Sequence, residues 1–109
     1  MKYIKAFENV KPKLELLTYV ICDEDTMSLE LKKFLRSHIG IIDAYWNGLT
    51  SDEMPYVVYY DDIPASLITF FDDEPNYPNC RVMREKEILF HSKYRKKLEP
   101  LILIDKFNI

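Results

Sequence analysis

Glycine is nearly absent from this chain of 109 residues: only Gly40 and Gly48 occur. A loop that cradles phosphate needs several glycines so that its backbone can approach the anion, and two isolated ones exclude it. Cysteine is as scarce, at Cys22 and Cys80. Two distant cysteines make no secreted disulfide framework, and Cys22 closes the apolar run LLTYVIC, so both are read as buried thiols. The two histidines, His38 and His91, stand at metal-ligand spacing neither to each other nor to the cysteines, and neither a metal site nor any other cofactor is expected. No serine or cysteine lies in a recognised nucleophile motif. No apolar run approaches the roughly 18 to 20 residues that cross a bilayer. The opening stretch MKYIKAFENVKPKL alternates lysine with single apolar residues and lacks a secretory apolar region, so a cytoplasmic protein without membrane contact is expected.

What is present describes one folded α/β domain over residues 1–109. Hydrophobic residues make up 48% and charged residues 30% of the chain, enough for a core inside a charged skin, and the length suits a single core. The charge is divided along the sequence. Residues 14–79 carry 13 acids and 3 bases, a net −10, whereas the flanks carry a net +7. A field of this kind attracts a basic partner and opposes nucleic acid. The basic cluster of Arg81, Arg84, Lys86, Lys93, Arg95, Lys96 and Lys97 is read as solvated positive charge, its last members as the charged end of a helix, with no direct nucleic-acid contact.

Apolar periodicity assigns the elements. LELLTYVIC, residues 14–22, and PYVVYY, 55–60, are continuous apolar runs and read as strands buried on both faces. Between them Met27, Leu31, Phe34, Leu35, His38 and Ile42 recur at three- and four-residue spacing, which predicts a helix capped by Asp25 or Thr26 and closed at Gly40. A second short helix is expected over about 41–50. Pro64 opens a helix, or a strand, over ASLITFF, and DDEPNYPN at 72–79 reads as a loop. A helix is expected over about 84–98, where Phe90, Tyr94 and Leu98 are four apart, followed by a strand at LILI, 101–104. Together these predict a small, mostly parallel sheet of three or four strands covered by helices.

The candidate site follows from that assignment. On a helix beginning near Ile42, Asp43, Asn47 and Thr50 fall on one exposed face, with Tyr45 and Trp46 beside them as aromatic anchors. Asp52 and Glu53 precede the second strand and Asp61 and Asp62 follow it. Carboxylates, an amide and a hydroxyl so placed engage arginine and lysine through charge-assisted hydrogen bonds. Asp61 and Asp62 could alternatively hold magnesium in a small metal-dependent enzyme, although neighbouring residues of an extended chain point apart.

DAYWNGLT followed by PYVVYY resembles the second helix and central strand of the barstar family of intracellular ribonuclease inhibitors. The preceding LELKKFLRSHIG is similar to that family's first helix and turn, so the likeness covers mainly residues 29–64. It implies a barstar-like α/β fold and a helix that plugs a nuclease active site with carboxylates in place of substrate phosphates. Asp43 matches the family's first inhibitory aspartate, Trp46 its tryptophan and Thr50 its threonine. Asn47 stands where the family has its most important aspartate, a departure at the position that matters most for the same nuclease. The resulting expectation is a non-enzymatic immunity or antitoxin protein, of the functional class that includes contact-dependent growth-inhibition immunity proteins. It would be a monomer or weak dimer when free and would occlude the active site of a basic toxin. A non-catalytic adaptor subunit is the other expectation.

Overall fold

The computed structural model describes residues 3–4, 14–46, 55–74 and 77–102, giving the backbone alone at 3–4, 46, 72–74 and 77. Seven strands form one sheet in which every pairing is antiparallel. In chain order they are β1 (Tyr3–Ile4), β2 (Tyr19–Cys22), β3 (Gly40–Trp46), β4 (Tyr56–Tyr59), β5 (Asp72–Glu74), β6 (Tyr77–Met83) and β7 (Ile88–Ser92). Across the sheet the order is β5-β6-β4-β3-β2-β7, with β1 also pairing β3, at Tyr45 and Trp46. Five strands have four or more residues, and the very short β1 and β5 complete the set. This overturns the mostly parallel, helix-covered sheet of three or four strands.

The physical reason lies in how the two faces are covered. Continuous apolar runs signal burial on both sides, and that part of the reading holds at β2 and β4. Burial on both sides also arises in an antiparallel sheet when each face carries its own cover. One face packs Val20, Cys22, Ile42, Tyr56, Val58 and Tyr60 against helix α1 (Leu29–Ser37) and against Leu67 and Phe71. The opposite face holds Ala44, Val57 and Cys80 in one cluster. In a second it holds Ile21 and Ile39 beneath Leu98, with Leu101 and Ile102 packed alongside.

Helix α1 forms where the spacing places it, through a different cap. Ser28 is the N-cap, its hydroxyl accepting from Leu31 N at 3.2 Å. Leu31, Phe34 and Leu35 are buried, each removal from water contributing roughly 1.5 to 3 kcal/mol. The helix ends at His38, which is already extended, and not at Gly40. Gly40 instead opens β3, where a Cβ would meet the Val58 side chain and come within 2.9 Å of the Tyr60 ring. The hydrogen on Gly40 is therefore what lets two buried side chains close over the sheet.

Three further segments differ from expectation. Residues 40–46 form a strand in place of the short helix, paired on one side with β4 and on the other with β2 and β1. The stretch 72–79 supplies β5 and the first three residues of β6 in place of a loop. Residues 84–98 break into a 3-10 turn at Glu85–Glu87, strand β7 and a second 3-10 turn at Arg95–Lys97. Residues 99–102 are helical, so 101–102 form helix where a strand was expected over 101–104, and 103–104 lie outside the described residues. ASLITFF resolves as a 3-10 helix, Ala65–Phe70, after Pro64. Both cysteines are buried.

Candidate functional site: an acidic cleft at one end of the sheet

The acids of the middle segment divide into two groups. Asp23 and Glu24, just after β2, are held by cations. Lys32 Nζ lies 2.7 Å from one Asp23 oxygen, and Arg36 Nη1 donates to the other at 3.4 Å. Glu24 receives Arg81 through two parallel bonds, Nε at 2.7 Å and Nη2, while Arg81 Nη1 donates to the Phe70 carbonyl at 2.6 Å. The fork geometry suits a guanidinium and binds the end of β2 to β6 across the sheet face. The bond to Glu24 raises the Arg81 pKa. Beneath this clamp burial pushes the Cys22 thiol up to about 12 and lifts the Tyr60 phenol well above its usual range. The Tyr60 hydroxyl, fully buried, makes no hydrogen bond of ordinary geometry and has the Cys22 thiol as its polar neighbour.

Asp61 and Asp62, just after β4, are exposed and have no cationic partner among the described residues. They border a cleft of about 340 Å³ lined also by Ser37, His38, Ile39, Arg95, Glu99 and Ile102. Its walls follow from the register. Ile41 pairs with Tyr59, so the entry to β3 lies beside the exit of β4, and Leu98 packs on Ile39 to bring the C-terminal helical segment over the same corner. The chain turns sharply here, with Asp62 at φ 53°, a left-handed conformation that aspartate tolerates better than most residues. The nearby Asp61 carboxylate is the chief cause of a raised Tyr59 phenol pKa.

His38 is fixed within the wall. Its ring stacks on Phe34, centroids 4.0 Å apart and planes at 19°. Nδ1 lies 2.8 Å from the Phe34 carbonyl. A carbonyl only accepts, so Nδ1 carries the hydrogen and the neutral ring keeps its lone pair on Nε2. Ser37 Oγ donates to the Lys33 carbonyl at 2.7 Å. Arg95 Nε approaches Glu99 at 3.9 Å, with both side chains about half exposed, a contact too loose to neutralise the cleft. Three carboxylates against one guanidinium give a pocket suited to a cationic group.

Of the residues expected to form the site, Asp61 and Asp62 come together there. Asp43 does not line the cleft; it sits half-buried in β3 at the irregularity between Ile42 and Ala44. Because β3 is a strand, Asp43 no longer belongs to a helical face. Tyr45 is 5% exposed, its hydroxyl donating to the Leu14 carbonyl at 2.9 Å and its ring edge-on to Tyr56. It is a core residue and its ring is not offered to a partner. The Trp46 side chain and Asn47, Thr50, Asp52 and Glu53 lie outside the described residues. Sequence reasoning did not place Ser37, Arg95 or Glu99 in the site. Their only local signal is position, at or just beyond the end of a helix and on the segment leading to Leu98. Among the described residues no three histidine, cysteine or carboxylate groups converge as metal ligands, and no helix is long and apolar enough to cross a membrane. Compared with family models, curated proteins and solved structures, the chain matches none.

Proposed function

We propose that the protein is a non-catalytic binding protein of the immunity or antitoxin kind, which receives a lysine or arginine of a basic protein toxin in the acidic cleft and covers that partner's active site. The observation that carries this reading is the pair Asp61 and Asp62, exposed and without a cationic partner among the described residues, beside Glu99 in a shaped cleft. Carboxylates in such a place engage a guanidinium or ammonium through charge-assisted bonds. They also replace the substrate phosphates that a nuclease site is built to hold. The net −10 of residues 14–79 favours rapid capture of a cationic toxin in the cytoplasm, before it acts. His38 Nε2, as an acceptor, adds a neutral partner for a donor.

The test is affinity capture from native lysate with wild type beside Asp61→Lys/Asp62→Lys, followed by assay of the captured protein's nuclease activity with and without added wild type. The expected result is a basic protein kept by wild type, lost by the double variant and inhibited on rebinding. If the double variant keeps the same partner, the cleft is not the docking site. A captured partner that stays fully active in the complex removes the occlusion mechanism.

A further inference from the structure

We propose that β7 pairs antiparallel with β7 of a second copy of this chain, joining two sheets across a twofold axis near Phe90. Strand β7 ends the sheet order, with β2 as its strand partner among the described residues. Its outer row of backbone groups is thus a template for another strand. The strand carries no aspartate, glutamate, lysine or arginine, and Leu89 and Phe90 remain 41% and 45% exposed. The pairing with β2 slips between Ile21 and Cys22, so that Leu89 has no residue opposite it. The far edge is different: β5 reads Asp72, Asp73, Glu74, a short acidic edge of the kind that repels added strands.

The flanking charges choose the occupant and its direction. Glu85 and Glu87 precede β7, whereas Lys93 and Arg95 follow it. An antiparallel second copy sets the acidic entry of one strand against the basic exit of the other, twice over. A parallel copy sets like charge on like. Lys93 is paired with Glu15 at 3.0 Å, but both side chains are about two-thirds exposed, and such a pair exchanges at little cost. The same patch then serves both subunits, the closed arrangement expected of a twofold dimer. Five strand residues with Tyr94 beyond them bury an area near the low end of specific interfaces, so association is reversible and concentration-dependent.

Sedimentation equilibrium of the full chain is expected to show monomer passing to dimer between roughly 1 µM and 1 mM, the range of weak specific association. Phe90→Lys places two like charges at the axis and is expected to weaken the dimer at least tenfold, with circular dichroism confirming the fold. Phe90→Cys is expected to give a disulfide-linked dimer under mild oxidation, since residues opposed across an antiparallel pair lie roughly 4.5 to 5.5 Å apart at Cα. Cys22 and Cys80 are buried and do not compete. Met27→Cys, at a fully exposed position, is the control and should stay monomeric on oxidation. A chain that remains monomeric throughout the range overturns the proposal. So does a dimer that Phe90→Lys leaves intact, or open-ended assembly in place of a closed pair. None of these outcomes depends on the cleft.

Discussion

Two pairs of acids follow two buried strands, Asp23 and Glu24 after β2 and Asp61 and Asp62 after β4, and the fold treats them in opposite ways. The first pair is gripped by Lys32, Arg36 and Arg81, with Glu24 only 15% exposed. The second stands in the open beside a cleft. The local sequences, YVICDE and YVVYYDD, give little hint of this division. What differs is the surroundings: α1 runs back past Asp23, and β6 lays Arg81 across the sheet face to Glu24. The chain entering β3 and the C-terminal segment bring just one guanidinium, Arg95, to Asp61 and Asp62. A carboxylate inside an ion pair contributes to holding the fold, whereas one without a partner keeps its charge available to another molecule.

That contrast can be broken most forcefully at Arg81. Arg81→Ala leaves Glu24 partly buried without its cation and is expected to cost about 3 kcal/mol, read as a lowered urea midpoint. Charge removal at Asp61 with an equal cost would erase the distinction between the pairs. A pH series supplies the next largest effect. The Cys22 thiol beneath the first pair is raised by burial from an ordinary 9.0 to about 12, so the unfolded chain releases this proton first as pH rises. Its contribution to stability is complete below pH 9 and declines between 9 and 12, by about 1 kcal/mol per pH unit. Tyr60 adds a decline of the same sign above pH 10. Denaturant titrations from pH 8 to 11 read this slope, and a flat profile would contradict a sealed thiol. At the second pair, Asp61→Lys/Asp62→Lys is expected to change stability by no more than about 0.5 kcal/mol, while reducing partner affinity at least tenfold. The smallest effect is at Asp62→Gly, which relieves the left-handed backbone and should gain about 0.5 kcal/mol in thermal unfolding.

The strands β2 and β4 and helix α1 were legible because each carries a strong local signal, an uninterrupted apolar run or a stripe at three and four residues. Strand β3 was not. IIDAYWNG places Ile42, Tyr45 and Trp46 at helical spacing, and the competing claim came from β2 and β4, whose edges both need a partner between them. Strand β7 hides in a stretch rich in glutamate, lysine and arginine, with Phe90, Tyr94 and Leu98 four apart by coincidence. There too pairing overrode local propensity, because β2 offers an edge to be filled. The site follows the same division. Asp61 and Asp62 were readable as acids ending a buried strand. Ser37, Arg95 and Glu99 join them only because the register and the packing of Leu98 on Ile39 fold distant segments to one corner.

The pairing of β2 with β7 sets Tyr19 beside Ser92, contacts between opposite ends of the described chain. Pairings of such high contact order close late, after the loop entropy of everything between them has been overcome. A nascent or refolding chain therefore presents the outer edge of β2, on the side away from β3, unpaired until β7 arrives. Its refolding rate should depend on substitutions in β7 less than its unfolding rate does.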